Sequence, residues 1–464
     1  MGYDAATRTG RRVVTAFAAL IVLGTILLML PVSVDQALLA DEAAFAAAQP
    51  ENVVPISFGG APLSVALYTA ASASSVTGLI VVDTANYWSN FGLTVIAVLM
   101  QVGGIGTMTI AALVSLVVVR KLGLKERLTL ANSTGFLNLG QTRSVVIGIV
   151  RWALLVELCG TAILFAFFLS HGYSFAKALG HSAFLAVSAF DNAGFAPYTD
   201  SLMDFSGDAV VLLTIAAMLM IGGLGFPVLF EINQHLRGVH HWSLTAKMVI
   251  IGTGVLIVLG WFGVAALEWN NPGTLGEMKV ADKLLNSFFS AVSPRTAGFN
   301  SIDLTAINET TMLITVFLMF IGGGPAGTAG GIKVTTAIMI GFIALTEIRG
   351  ERAVNVFGRR LDRAAHRQAL TVVTLSTLLL CVGTLLIMIN SGLALSPVLF
   401  EVTSAFGTVG LSVGITAQLS VFSQLILILI MISGRVGPLT IATAVALRRT
   451  KLHYELPKDY PLIG

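Results

Sequence analysis

Long apolar runs alternate with short polar connections along the whole chain. The runs at residues 13–32, 91–119, 145–169, 209–230 and 248–267 each hold 18 or more residues with few or no charges. About 20 such residues cross a bilayer as a helix. Between the long runs stand shorter stretches of small and apolar residues that cannot span. Four of them match: Ser72-Ala-Ser-Ser-Val-Thr-Gly78-Leu79, Ser188-Ala-Phe-Asp-Asn-Ala-Gly194-Phe195, Ser290-Ala-Val-Ser-Pro-Arg-Thr-Ala-Gly298-Phe299 and Ser404-Ala-Phe-Gly-Thr-Val-Gly410-Leu411. Their glycines are 116, 104 and 112 residues apart, and a long apolar segment flanks each on both sides. The pattern predicts an all-α polytopic membrane protein. Four units of helix, short re-entrant pore helix, glycine loop and helix surround a central pore, with eight transmembrane helices and four half-helices. The units run over residues 1–120, 121–237, 238–348 (its last helix broken) and 349–464.

A non-helical loop at membrane depth leaves backbone carbonyls and amides unpaired, and it survives only inside protein or along a water-filled path. Four such loops around an axis can aim carbonyls inward and replace the hydration shell of a cation. Glycine suits this because inward carbonyls need residues that adopt φ > 0. The expected ion-binding filter is therefore Val76, Thr77 and Gly78; Asn192, Ala193 and Gly194; Thr296, Ala297 and Gly298; and Thr408, Val409 and Gly410. Among 47 glycines a single one would more simply serve close helix packing. Four at one period, each after a segment of re-entrant length, favour the filter.

Composition agrees. The 464 residues are 55% hydrophobic and 11% charged, with a mean hydropathy of +0.87; soluble proteins are about 25% charged. Lys and Arg gather in alternate connections: Arg8, Arg11 and Arg12; Arg120, Lys121, Lys125, Arg127 and Arg143; Arg237 and Lys247; Arg349, Arg352, Arg359, Arg360, Arg363 and Arg367; Arg448, Arg449, Lys451 and Lys458. The other side holds Lys177, Lys279 and Lys283. The positive-inside rule sets both termini in the cytoplasm. The net charge of +3, spread over short loops, marks orientation rather than a nucleic-acid surface. The run after Arg12 is long for a signal peptide and lacks a close small-residue cleavage site, so it is a retained helix. Cys159 and Cys381 lie in apolar segments and fit neither a disulfide framework nor a zinc site. The seven histidines fall in loops or at helix ends, so no transmembrane pair could hold a haem. No phosphate loop, nucleophile triad or metal cluster is apparent, and no enzymatic activity is expected.

Several further motifs join the filter segments. They are the run Ser75 to Asp83, Gln101-Val-Gly-Gly-Ile-Gly106, Gly322-Gly-Gly-Pro-Ala-Gly-Thr-Ala-Gly-Gly-Ile-Lys333, Gly434-Arg-Val-Gly-Pro438-Leu-Thr440 and the closing residues 457–464. With these the sequence resembles the Trk/Ktr/HKT superfamily of cation transporters, most closely its KtrB-type subunits, over essentially its whole length. One helix, not three, precedes the first pore segment, which separates it from the TrkH type. The resemblance implies potassium uptake at the plasma membrane, with K+ as the transported ion and no covalent cofactor; whether Na+ serves as an activator is left open by the sequence. It implies a homodimer with one pore per protomer, seated on a cytosolic ring of nucleotide-binding RCK (KtrA-type) subunits. A glycine in the first filter, as at Gly78, goes with potassium in this family. The residues before the glycines differ between units, which departs from a symmetric potassium filter. A sodium-coupled secondary cation transporter of lower selectivity is the alternative. The same direction of all four units, rather than an inverted repeat, speaks against it.

The charged and irregular residues suggest a gate. Gly322, Gly323, Gly324, Pro325, Ala326, Gly327, Thr328, Ala329, Gly330 and Gly331 interrupt the third post-filter helix. They form an intramembrane gating loop or a packing kink. Lys333 ends the loop and either holds the gate or snorkels. Arg435 in the last helix opposes cation passage below the filter, or pairs with a carboxylate such as Glu157 or Glu231. Asp83 and Asp191 either attract cations at the outer mouth or cap backbone amides, and Glu401 is open between roles. Arg295 is expected to tie its loop to a neighbouring carboxylate.

Overall fold

Residues 2–50, 52–120, 142–234, 242–351 and 353–437 are described by the computed structural model of the chain. Of the basic positions, Lys121, Lys125, Arg127, Arg237, Arg352, Arg448, Arg449, Lys451 and Lys458 lie outside the described residues. So do Pro438, Thr440 and the closing motif 457–464.

The chain repeats one motif four times. A long helix leads to a short pore helix, which ends in a glycine loop and is followed by a second crossing. The leading helices are Gly2–Leu28, Thr142–Ser170, Leu244–Glu268 and Arg363–Ser391. The pore helices are Leu63–Ser75, Phe175–Asp191, Val280–Val292 and Leu395–Gly407, each packed on the leading helix of its own unit. Apolar faces turned to lipid remain exposed, as at Leu158, Phe262 and Leu385. The pore helices are the most enclosed elements; Tyr68, Phe190, Phe289 and Phe400 are all 1% exposed or less. Association between helices in lipid rests on close packing rather than on the hydrophobic effect. The glycines match this: Gly103, Gly222 and Gly434 are so tight against the Ser74, Phe190 and Phe406 backbones that a Cβ would overlap the carbonyl oxygen. Each of those carbonyls lies four residues before a filter glycine, so three units dock their second crossing on the pore helix at one equivalent point.

The second crossings differ in continuity. The first, Asn90–Arg120, is unbroken. The second is not the single run expected from residues 209–230. Helices Ala209–Leu224 and Phe226–Gln234 meet at 97°. Gly225 sits between them at φ 90°, ψ 142°, a conformation that side-chain-bearing residues rarely adopt. Pro227 follows and cannot donate a helical hydrogen bond. The third crossing is broken as expected, into Glu309–Phe320 and Val334–Ile348. The fourth, Val421–Val436, is described up to Gly437. Among the described residues four helices are long and apolar enough to span as single pieces, five if the bent pair counts as one. Of the remaining crossings, the first leading helix contributes the apolar stretch Val14–Leu28, the second crossing of the fourth unit is the shorter helix Val421–Val436, and that of the third is made of two pieces.

Among the described residues one element is not helical. Asn355–Val356 and Arg359–Arg360 pair antiparallel across Phe357 and Gly358, whose φ values of 46° and 76° suit a two-residue hairpin turn. Val354 and Val356 anchor this hairpin against Met248.

Candidate ion pore

Three of the four pore helices end in the same way. The residue after the last turn is left-handed: Val76 at φ 58°, Asn192 at φ 61° and Thr408 at φ 50°. In each case the next amide donates back to the helix: Thr77 to the Ser72 carbonyl at 2.8 Å, Ala193 to Ser188 at 2.7 Å and Val409 to Ser404 at 2.8 Å. This cap satisfies the last helical carbonyls. The third unit has two more residues between its first serine and its glycine, so Ser293 takes over the role. The Ala297 amide donates to the Ser293 carbonyl at 2.9 Å, and Thr296 is left-handed at φ 85°. A β-branched residue at positive φ is an outlier that only a constraining environment sustains. Val76, Thr296 and Thr408 are three such residues at one position.

The filter glycines follow two residues later, again at positive φ: 89° for Gly78, 73° for Gly194, 78° for Gly298 and 95° for Gly410. Serine side chains fix them. The Gly78 and Gly410 amides donate to Ser72 Oγ at 3.0 Å and Ser404 Oγ at 3.1 Å. Ser188 Oγ donates to the Phe195 carbonyl at 2.7 Å, and Ser293 Oγ donates to that of Phe299.

The four loops close into a ring. A Cβ added to Gly78 would strike the Ala193 carbonyl oxygen; to Gly194, that of Ala297; to Gly298, that of Val409; to Gly410, that of Thr77. Each added Cβ would also stand within 3.1 Å of the next glycine's Cα. The order is first unit to second, third, fourth and back to first. Thus all twelve residues expected at the filter come together, and four carbonyl oxygens lie in one closed circle. Asn192 and Thr296 join neighbouring loops through their side chains, 3.2 Å apart.

On one side of the ring lies a vestibule of about 560 Å³ that all four glycines line. Asp83, Asp200 and Asp303 line it too, while none of its described lining residues is Lys or Arg. Asp83 also caps the Ala85 amide at 3.0 Å and accepts from Thr199 Oγ1 of the next unit at 2.9 Å. It therefore caps an amide, as one of the two roles considered for it requires, while standing at the vestibule wall.

Residues 322–331 lie on the other side. The second, third and fourth units touch this loop, and Arg435 links it to Gly103 of the first. Gly330 abuts Thr408, and Gly322 comes near the Thr296 methyl group. Thr328 Oγ1 donates to the Phe190 carbonyl at 3.2 Å. Arg435 donates through Nη1 to the Thr328 carbonyl and through Nη2 to that of Gly103 at 3.2 Å. The loop backbone pairs with the broken second crossing, Gly324 and Thr328 amides donating to the Gly223 and Gly222 carbonyls at 2.8 and 3.2 Å. Lys333 Nζ reaches back to the Ala329 carbonyl.

Three expectations change here. Arg295 binds no carboxylate; its guanidinium donates to the carbonyls of Thr253 at 3.3 Å and Gly322 at 3.0 Å. Arg435 pairs with neither Glu157 nor Glu231. Glu157 takes Gln101 Nε2 at 2.8 Å, and Glu231 caps the next helix through Ser243. Each arginine is drawn instead to one carbonyl of the broken third crossing, Gly322 for Arg295 and Thr328 for Arg435, and to one carbonyl of an intact helix, Thr253 or Gly103. Asp191 is not at the vestibule but buried at the end of its pore helix. Glu401 holds Ser412 Oγ at 2.9 Å and Thr416 Oγ1, tying down the strand of chain after the fourth filter. The serine ties, the break at Gly225 and the carboxylates Asp200 and Asp303 were not anticipated. The serines open the repeated segments, so their recurrence was the available signal.

A ring of four pore loops with a vestibule on one side and the glycine loop 322–331 on the other is the arrangement of a polytopic membrane transport protein. The family model for TrkH, described as a cation transport protein, matches residues 10–453, and the chain belongs to that family. That family transports cations and is not one of enzymes. The Ktr system potassium uptake protein B of Bacillus subtilis is 39% identical over 424 residues, 91% of this chain and 90% of that protein. The protein of the same name from Vibrio alginolyticus is 36% identical over 415 residues, 88% and 90% of the two chains. The potassium/sodium uptake protein NtpJ of Enterococcus hirae is 33% identical over 406 residues, 86% and 89%. Among solved structures, the potassium transporter TrkH of Vibrio parahaemolyticus shares the fold, with a TM-score of 0.65 over 83% of this chain and 79% of that one at 17% identity.

Removing a serine tie should loosen the ring without touching the axis. Ser72→Ala leaves the buried Gly78 amide unpaired, which costs roughly 1–3 kcal/mol, and Ser404→Ala does the same to the half-buried Gly410 amide at a smaller cost. Each variant should show a lower thermal midpoint in detergent than Ser170→Ala, whose hydroxyl is exposed. Equal midpoints would mean that the ties do not carry the loop.

Proposed function

We propose that this chain is the ion-translocating subunit of a Ktr/Trk-type potassium uptake system, a channel-like pore in the plasma membrane with both termini cytoplasmic. The observation that carries this reading is the ring in which each filter glycine abuts the next unit's carbonyl. Carbonyls fixed in a circle can replace the water around a cation that has entered the ring, and conduction needs binding weak enough to release it. The vestibule carboxylates raise the local cation concentration before entry. Pore-helix C-termini add partial negative charge toward the ring. Potassium is the cargo, in keeping with the printed names of the Bacillus and Vibrio relatives. The Enterococcus name supports a role for Na+ as well, as activator or as less favoured cargo. The four pore units follow the ranges 1–120, 121–237, 238–348 and 349–464.

Loop 322–331, with Lys333, acts in this reading as the gate, and Arg435 supplies the opposing charge at the same constriction. A central arginine tied only to carbonyls is not neutralised, and low dielectric makes its repulsion of a cation stronger than in water. The loop can move because it is mostly glycine and holds few side-chain anchors. Regulation then comes from outside the chain. Arg359, Arg360, Arg363 and Arg367 are exposed beside the hairpin, which supports docking of a cytosolic nucleotide-binding RCK ring there. Two protomers, each with its own pore, would share that ring.

Uptake into proteoliposomes, normalised to folded protein, tests filter and gate separately. Gly78→Ser inserts atoms where the Ala193 carbonyl stands, and its preference for K+ over Na+ should fall by about tenfold, the scale of one polar contact. Unchanged preference would remove Gly78 from the filter. Deleting residues 326–329 should raise the K+ flux several-fold and leave the preference as it was. A flux that is unchanged or lower would make the loop a packing kink.

A further inference from the structure

The buried carboxylates of this chain divide unequally. Among the described residues they are Glu157, Asp191, Glu231, Glu268 and Glu401. Glu157 accepts from Gln101, Glu231 from Ser243, and Glu401 from Ser412 and Thr416. Glu268 accepts from Asn271, Thr274, Asn308 and Thr311. Asp191 accepts nothing. It is 0% exposed, and neither carboxylate oxygen has a hydrogen-bond partner among the described residues. An orphaned buried acceptor costs about 1–3 kcal/mol, and a charged one more. Such a group calls for a donor that arrives in another state.

One candidate donor stands next to it. Arg435 spends Nη1 and Nη2 on the carbonyls of Thr328 and Gly103, yet its buried Nε has no partner. Two anchor points show how close the groups are. The Asp191 carboxylate packs on Gly104, where a Cβ would overlap it, and Gly104 is the neighbour of the Gly103 that Arg435 holds. The Thr328 whose carbonyl Arg435 binds donates its own hydroxyl to Phe190, the neighbour of Asp191. The two charges feel one another, and Glu157 and Lys333 are the other charged groups in their field. They nevertheless form no ion pair within 4 Å; the guanidinium is held on the carbonyls of Thr328 and Gly103 instead.

We propose that Asp191 is the resting place of Arg435 in the conducting state, a positioning residue for the gate. This rests on the reading of loop 322–331 as that gate. When the loop withdraws, Arg435 loses the Thr328 carbonyl, and its side chain turns to the carboxylate on the wall between the first and second units. The move takes the positive charge off the axis and neutralises it. It also gives both orphaned groups, the Arg435 Nε–H and the Asp191 oxygens, the partner each lacks. The helix of Arg435 need not shift, since only its side-chain torsions change.

Flux in a double-mutant cycle tests this, again as K+ uptake into proteoliposomes per amount of monodisperse protein. Arg435→Ala should raise uptake. Asp191→Asn, nearly isosteric, should lower uptake about tenfold when Arg435 is present, within the usual range of a coupling between two sites. In the Arg435→Ala background the same change should matter less than about twofold. Asp191→Ser provides a second variant should the amide not fold, because Ser75 occupies the equivalent position of the first unit. If loss of the Asp191 charge raises uptake, or lowers it equally in both backgrounds, Asp191 is not the resting place, and the gate still stands. If Arg435→Ala fails to raise uptake, the gate and this proposal fall together.

Discussion

Where four backbone segments meet on one axis, no side chain fits between them. The filter glycines lie so near one another that a single added Cβ would reach the next glycine's Cα. Much of the architecture serves this approach. The pore helices stop one turn short because a left-handed residue turns the chain into the ring. The strain of β-branched residues at positive φ is held by serine hydroxyls and by enclosure, not by local preference. In three units the second crossing in turn presses a glycine against the pore-helix backbone four residues before the ring. Close backbone approach replaces the hydrophobic driving force that lipid does not supply.

A second constraint follows from the absence of bulk water at this depth. Backbone groups freed by a broken helix must be satisfied from within the protein. The two breaks, at Gly225 and at residues 322–331, lie side by side and satisfy one another through the Gly222 and Gly223 carbonyls. What they leave over is taken by Arg295 and Arg435. This explains why these buried arginines seek carbonyls rather than carboxylates. Among the described residues the one ion pair within 4 Å, Arg349–Glu351, is on the surface. Buried charge is thus tied to the backbone of loop 322–331, and in the gating proposed above the electrostatics follow the position of that loop.

The ring was legible in the sequence because its signal is periodic. Gly78, Gly194, Gly298 and Gly410 recur at one spacing, each after a segment too short to span. The loop at residues 322–331 was legible because six glycines and a proline cannot continue a helix. The break at Gly225 was not seen. Gly222, Gly223, Gly225 and Pro227 carry the same chemistry more sparsely, inside a run whose hydropathy reads as one crossing. The partners of Arg295 and Arg435 could not have been read at all, since a carbonyl acceptor exists at every residue and leaves no mark on the sequence. Asp191 was misplaced for a related reason. Its neighbour in sequence is the filter, but its neighbours in space are Gly104 and the arginine of another unit.

The central claim is that the carbonyls of residues 77, 193, 297 and 409 form the cation site on the axis. Anomalous diffraction from crystals grown in Rb+, a stand-in for K+, tests it directly. The account predicts a peak on the axis at the level of these four carbonyls, lost when Rb+ is replaced by Na+ at equal concentration. A peak confined to the vestibule beside Asp83, Asp200 and Asp303, with none at the ring, would contradict it.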